Sequence, residues 1–501
     1  MLKTSLKERM TSNILEGGAM TTNGFPFRSL RDWISFLDRQ GDIVHNKEEV
    51  DIWGEVAAIS SKIAQVDGPA VIYENIKGFP GWKLHSDGLT AHRRVAQALG
   101  LTAGETPARI REVLIEKLTK KPVKPRKVET GPCKEVKLFG NEVDLLDIPT
   151  AFSGEFELTP HLTAGVSFIQ DPDTGWINSG IRRFQIINKD KLLELILPTQ
   201  HEGLIFSKFK QKGQPMPIAI AIGVDPVASI CSMFPAPTGF DEMDYWGMIT
   251  GELLEVVKCE TNEILVPATS EIVIEGEVDP DEVALEGPFP EFNGYYSGFR
   301  MCPLIRVKAI TMRNNAISQF MFMATIPSEG QNLSQLFNEV EIYRQLTEIV
   351  PGVKNMAVLS IARFVIAVSL DKTARKRMPG LEKRVAMALK AISPTVKVLI
   401  ILDDDVDPHN PYEILWALGV RFQPSKNIMV IDETPGHLLD PSSTLIGPGY
   451  SYTGLGSYGV MDCTEKLEPY DEGYRRGVAL PPKEAIRKVE ENWTKYGFKR
   501  G

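Results

Sequence analysis

Cysteine is scarce in this chain of 501 residues, and the five present (Cys133, Cys231, Cys259, Cys302 and Cys463) lie far apart with no C-x-x-C spacing. That excludes a disulfide framework and a zinc knuckle, and it suits a reducing cytoplasm. Histidine is rare too, at seven, so each can be weighed singly. A G-x-x-x-x-G-K-[ST] phosphate loop is missing, and Gly447-Pro448-Gly449 and Gly454-Leu455-Gly456 read as loops rather than a Rossmann fingerprint. A G-x-S-x-G elbow is also missing, which disfavours a serine hydrolase. There is no basic excess: 56 Lys and Arg against 65 Asp and Glu give a net charge of −9. A concentrated nucleic-acid footprint is thereby excluded. No run of about 18 apolar residues is available to cross a membrane. The first residues carry charge without an apolar h-region, so a cytoplasmic protein is expected. Residues 1–25 read as loosely structured, with Met20 as an alternative start.

What the chain does have is core: 43% hydrophobic residues suffice for two or three domains. Residues 29–37 read as a helix capped by Ser29 and closed by Gly41. Helical patterns and short strands such as 70–73 make a small α/β unit up to about 115. The basic run 117–127, with two prolines, reads as a connector. Between about 130 and 320 short β-rich runs recur (162–170, 183–187, 218–222, 271–277, 304–312 and 316–323), interrupted by a helix over 246–257. That texture suggests a barrel or sandwich. Beyond 330 the α/β pattern returns, with strands at 364–368 and 398–402 and helices at 380–392 and 411–418. Asp403, Asp404 and Asp405 end the second strand, where they suit either a ligand crevice or ordinary turn and helix-dipole chemistry.

The most informative stretch is Glu286-Gly287-Pro288-Phe289-Pro290-Glu291-Phe292-Asn293-Gly294-Tyr295-Tyr296. Two prolines and a glycine fix the backbone between two carboxylates. The four aromatics can strip water from those carboxylates and raise their proton affinity, as a general acid requires. Upstream, Asn178, Arg182 and Arg183 lie at a loop-to-strand transition. Successive side chains of a strand face opposite ways, so one arginine can point into the β unit and meet an anion while the other stays in solvent. Gln200-His201 follows a helix-like run ending at Pro198, and Glu242 precedes the helix at 246. Singly these residues are ordinary surface features. Together Asn178, His201 and Glu242 offer an amide oxygen, an imidazole and a carboxylate, a set that suits Mn²⁺ or Mg²⁺ better than zinc.

In this order the stretches W-I-N-S-G-I-R-R (176–183), Gln200-His201, Glu242, the acid loop 286–296, L-D-D-D-V-D (402–407), W-A-L-G-V-R-F-Q-P (416–424) and G-L-G-S-Y-G-V-M-D-C-T (454–464) resemble the UbiD family of reversible, prenylated-FMN-dependent decarboxylases. The resemblance spans about residues 27–495. It implies an α/β multidomain fold: an N-terminal α/β domain (25–125), a central split β-barrel of flavin-reductase type (126–325) and a C-terminal α/β domain with dimer contacts (326–501). It implies prenylated FMN held with Mn²⁺ (or Mg²⁺) and K⁺. Asn178, His201 and Glu242 would be the metal ligands. Ser179, Ile181, Arg182, Arg183, Gln200, Ser232, Phe234 and Lys372 would complete the cofactor site, with Lys372 at the phosphate. Arg183, Glu286 and Glu291 would be catalytic, Glu291 carrying the proton. The implied partners are an aromatic, heteroaromatic or α,β-unsaturated carboxylic acid, CO₂, a flavin prenyltransferase that supplies the cofactor, and further copies of this chain in a dimer or hexamer. Tyr458 stands where many relatives have lysine, which makes the charge pattern there differ and could alter substrate choice. Pro290 replaces a glycine of some relatives. The competing readings are an FMN-dependent reductase on the same barrel and a subunit of a multi-subunit aromatic carboxylase.

Overall fold

The computed structural model describes residues 24–324, 327–359, 364–437, 439–446, 453–465 and 481–497; the stretch at Met20 and Gly447-Pro448-Gly449 lie outside them. The N-terminal helix Leu30–Gln40 starts where the Ser29 side chain accepts from the Asp32 N–H, and it stops at Gly41 with φ 66°. Its apolar face places Trp33 and Phe36 against Phe27. It covers a four-stranded sheet of β1 (Ile43–Asn46), β2 (Ala70–Tyr73), β3 (Lys83–Ser86) and a strand from beyond the barrel that pairs with β3.

Strand β4 (Arg126–Val128) then pairs in a small outlying sheet, and β5 (Val136–Phe139) leads to the centre of the molecule. There β6 (His161–Gln170), β7 (Ile177–Asn188), β8 (Lys191–Glu194), β9 (Met216–Ile222), β12 (Ile272–Glu286) and β13 (Arg300–Met312) close into a six-stranded antiparallel barrel. The intervening β10 (Glu255–Lys258) and β11 (Leu265–Pro267) join β4. Closure comes from the long β12–β13 ladder, running from Ile272 opposite Met312 to Glu286 opposite Arg300, which leaves no open edge. Inside lie Leu162, Phe184, Ile186, Ile218, Ile220, Ile274 and Ile305, the alternate residues of neighbouring strands.

Three readings from periodicity change. The helix expected over 246–257 is Glu242–Thr250, because Gly251 ends it in a left-handed conformation and the apolar residues after it form β10. The run before Pro198 is strand β8, and His201 opens the helix His201–Gln211 instead of following one. The run 316–323 contains β14 (Ile317–Phe320), which belongs to the N-terminal sheet rather than the barrel.

The C-terminal sheet has the order β15 (Val353–Val358), β16 (Val365–Leu370), β17 (Val398–Asp403), β20 (Thr453–Asp462), β18 (Ile428–Gly436), with β19 (Thr444–Ile446) on β20. Gly454-Leu455-Gly456 is thus part of a strand, not a loop. The helix Glu329–Ile349 joins this sheet to the rest of the molecule. Arg111 is buried beside it, with Nη1 donating to Glu339 Oε1 at 2.8 Å and to the Met356 carbonyl, and with its guanidinium 4.0 Å from the centre of the Tyr343 ring. Among the described residues no helix is long and apolar enough to cross a membrane.

Candidate active site

The acid loop leaves the end of β12 and folds on itself. The Glu291 N–H donates to the Tyr295 carbonyl at 2.9 Å and the Ser297 N–H to the Phe289 carbonyl at 2.8 Å. Gly287 has φ 101°, and a Cβ there would strike the Gly298 carbonyl; only glycine takes this position without strain. Its N–H donates to Gln185 Oε1 at 3.1 Å, which pins the loop to β7.

Both glutamates are buried, Glu286 at 0% and Glu291 at 4% exposure. Arg183 on β7 satisfies both: Nε donates to Glu286 Oε1 at 2.7 Å and Nη1 to Glu291 Oε1 at 2.6 Å. Phe289 lies 4.9 Å from the guanidinium. Burial and the aromatic wall alone would raise the Glu286 pKa. The His161 and Arg183 cations outweigh that and hold it at about 2, from an ordinary 4.5. The rise that the aromatic wall would give is thus reversed at Glu286, which Arg183 holds ionised as the family resemblance implies. The aromatic shield is also smaller than expected. Phe289 and Phe292 are buried, while Tyr295 is 62% exposed and Tyr296 turns its hydroxyl to accept from the Phe156 N–H at 3.2 Å.

Alternation along β7 sends Arg182 the other way, but not into solvent. Its Nε donates to the buried Glu202 at 2.9 Å, and a Cβ on Gly180 would collide with its guanidinium. Beside it, Asn178 Nδ2 donates to Glu242 Oε1 and the Ser179 N–H to Glu242 Oε2, both at 2.7 Å. His201 Nε2 is 3.1 Å from Thr238 Oγ1, and its ring stands edge-on to Trp176 at 5.0 Å. The Trp176 indole N–H donates to the Phe240 carbonyl at 2.8 Å, two residues before Glu242. Trp176 therefore ties the three candidate metal ligands into one neighbourhood.

This neighbourhood fits a hard cation. Burial pushes the Glu242 carboxyl up to about 7; the neutral donors Ser179 and Asn178 offset this only in part, and the like charge of Asp241 adds to it. A divalent ion would supply the missing positive charge. With Nδ2 committed to Glu242, Asn178 has its carbonyl oxygen to offer. The Ser179 hydroxyl is buried without a partner. Among the described residues no three His, Cys, Asp or Glu side chains group at a metal-sized position, so a cation here needs the amide oxygen as a ligand.

The remaining candidates are placed unevenly. Ser232 ends the helix Pro226–Cys231, its hydroxyl turned back to the Ala228 carbonyl at 2.8 Å. Phe234 packs on Phe337 and Tyr245 at 4.3 and 5.4 Å. Ile181 is half-buried, and Gln200 is exposed at the N-cap of the helix that His201 begins. Lys372 is not brought to this group. Its ammonium is bound by Asp405 at 3.1 Å and Glu465 at 2.9 Å in the C-terminal unit. Asp403 and Asp405 are likewise paired, with Arg375 and Arg421. Tyr458 is fully buried, donating to the Ala386 carbonyl at 3.0 Å within the C-terminal core. It therefore does not set the charge of a substrate site. Sequence reasoning missed His161 and Glu157, which sit directly behind Glu286. A histidine at the start of a strand has no local signal of that role.

Three consecutive segments match the domains described as 3-octaprenyl-4-hydroxybenzoate carboxy-lyase: the N-terminal domain over 34–114, the Rift-related domain over 125–326 and the C-terminal domain over 331–463. The chain belongs to the UbiD family of carboxy-lyases. Solved UbiD-family structures agree over almost the whole length. The chain is similar to the UbiD-class enzyme HmfF from Pelotomaculum thermopropionicum in complex with FMN (29% identity, TM-score 0.81, covering 92% of this chain and 99% of that one). An evolved dimeric form of HmfF is in complex with prFMN. The vanillic acid decarboxylase of Sedimentibacter hydroxybenzoicus in its open form gives 27% identity and a TM-score of 0.83 over 94% of this chain and 100% of that one. The apo 3,4-dihydroxybenzoic acid decarboxylase of Enterobacter cloacae gives 25% and 0.81 over 93% and 100%.

Proposed function

We propose that this UbiD-family carboxy-lyase is a prenylated-FMN-dependent, reversible decarboxylase of an aromatic or heteroaromatic carboxylic acid, with Glu291 as the proton carrier. The observation that carries the reading is Arg183 shared between two buried glutamates at 2.7 and 2.6 Å on the rim of the barrel. The related HmfF and benzoic acid decarboxylases named above support the cofactor and the flat substrate. Prenylated FMN, when bound, supplies the electrophile and electron sink for loss of CO₂.

The residues of the chain do the rest. Asn178, His201 and Glu242 would hold Mn²⁺ or Mg²⁺, with Arg182 alongside, and main-chain groups near Ser232 would hold K⁺; these ions would supply positive charge for the flavin phosphate. Glu286 stays ionised and orients Arg183, whose guanidinium meets the substrate carboxylate. Glu291 delivers a proton to the carbon that loses CO₂, and takes one from it in the reverse direction. Phe289 and Phe292 keep water away from both carboxylates. The exposed row Tyr412, Leu415 and Val420 on the helix Pro411–Arg421 supports a homodimer, which light scattering would test. The decisive assay is CO₂ release, or deuterium exchange into substrate, by holoenzyme prepared with a flavin prenyltransferase. Full activity of Glu291→Gln would overturn the proton assignment.

A further inference from the structure

The pairing of opposite charges does not stop at Glu286. His161, the first residue of β6, is fully buried. Its Nδ1 lies 2.7 Å from Glu157 Oε1, and its Nε2 lies 3.8 Å from Glu286 Oε1. The other Glu157 oxygen is fixed by the N–H groups of Ser153 and Gly154 at 2.6 and 2.7 Å. Phe289, the ring that Arg183 leans on, also faces the imidazole, with ring centres 4.7 Å apart. Glu157, His161, Glu286, Arg183 and Glu291 therefore form one buried line of alternating charge, from the back of the loop to its catalytic end.

Nε2 of His161 is the loose link in this line. It is buried with no hydrogen-bond partner, and at 3.8 Å its tie to Glu286 is an ion pair across a gap. Such a pair has force only if the ring is an imidazolium, because Nδ1 already spends the single N–H of a neutral ring on Glu157. Burial alone would drive the second proton off; Glu157 and Glu286 together overcome that and raise the His161 pKa. The other ionisable groups close by are Arg183, itself held protonated by Glu291 and Glu286 against burial, and Cys302 on β13. Burial and Glu286 push the Cys302 thiol up to about 12, so it stays neutral. Gln185, opposite His161 across β6 and β7, is occupied by the Gly287 N–H.

We propose that His161, anchored by Glu157, is a positioning residue that locks Glu286 as a permanent carboxylate and so leaves the Nη1 arm of Arg183 to set Glu291. The inference rests on the decarboxylase reading. It gives the two glutamates unequal roles for a physical reason: Glu286 faces two cations and Glu291 faces one. Loss of the imidazolium proton as pH rises through its raised pKa removes one of the two, and Arg183 is then drawn toward Glu286.

The test uses His161→Gln and Glu157→Gln in the reconstituted holoenzyme. In His161→Gln, kcat falls on the order of 100-fold, as for a small misplacement of a reacting group, while KM and flavin content stay near wild type. The alkaline limb that His161 contributes to the kcat/KM profile disappears. In Glu157→Gln, that limb moves to lower pH. Independently of turnover, nitrogen-15 spectra of the flavin-free chain show a histidine signal, absent from His161→Gln, whose two ring nitrogens stay protonated at a pH above the ordinary imidazole pKa. A neutral His161 at that pH overturns the proposal. So does a wild-type kcat and pH profile in both variants. If His161→Gln fails to fold, Glu157→Gln with an unshifted limb has the same force. Absence of CO₂ release and of deuterium exchange from the wild-type holoenzyme would instead sink the decarboxylase reading while leaving the imidazolium measurement standing.

Discussion

Asn293 of the acid loop donates its side-chain amide to the main-chain carbonyl of Leu439, which ties the loop that carries Glu291 to the C-terminal unit. The same junction brings Phe292 within 5.8 Å of Phe364 and 5.7 Å of His437, measured between ring centres. From the other side, Gln331 at the start of the helix Glu329–Ile349 donates to the Phe292 carbonyl. The position of Glu291 thus depends on two units of the fold. Asn293→Ala removes one hydrogen bond, worth about 1 kcal/mol. It is expected to lower kcat about tenfold through misplacement of Glu291 while the midpoint of denaturation moves little; steady-state kinetics beside urea unfolding check this.

Glu291→Gln keeps the shape of the loop and one acceptor for Arg183 but cannot carry the proton. Removing a general acid costs on the order of 10²- to 10⁴-fold in rate. CO₂ release is expected to fall by that much with flavin absorbance unchanged. Equal loss of flavin would show that Glu291 supports binding instead.

Arg183→Ala leaves two buried carboxylates without their shared cation, a loss of about 3–5 kcal/mol. The pH dependence has a definite sign. The Glu286 pKa is depressed in the folded state, from 4.5 to about 2, so its contribution of about 3 kcal/mol is present above pH 4.5 and lost as pH falls toward 2. The stability gap between wild type and variant therefore narrows over that window. Denaturant titrations at pH 7 and within that acid window measure it, and a gap that widens in acid would contradict the pairing.

His201→Ala removes the one imidazole of the candidate metal site, where the ring meets Thr238 and the edge of Trp176. Metal and flavin content are expected to drop together, while the unfolding free energy changes by less than about 1 kcal/mol, as for a partly exposed side chain. Metal analysis and absorbance on the purified variant decide it. Undiminished metal and flavin would exclude the site.

Tyr458→Phe deletes one buried hydrogen bond, that to the Ala386 carbonyl. The expected cost is about 1 kcal/mol, with turnover unaffected because the residue lies in the C-terminal core. A changed substrate preference would return Tyr458 to the active site.

Much of this was legible in the chain because local rules govern it. Ser29 and Gly41 bound a helix wherever they are placed, and the run 398–402 can only be a buried strand. Alternation along residues 177–188 sends Arg182 and Arg183 to opposite faces without any tertiary information. The misread elements are those where periodicity is ambiguous: the apolar residues after Gly251 suit a helix or a strand equally, and pairing with β4 chose the strand.

By itself the sequence determined the rigid acid loop, the amide, imidazole and carboxylate of the candidate metal site, and the closing texture of short strands, because each depends on residue type and spacing. Only the tertiary structure decided which groups hold Glu286 ionised. Its low proton affinity comes from Arg183, 103 positions away on β7, and from His161 on β6. It also decided that Lys372 pairs with Asp405 and Glu465 and that Tyr458 is buried in the C-terminal core, since charge pairing and burial there are set by how the strands meet. Electrostatic roles depend on distances between segments, and a linear pattern carries no such distances.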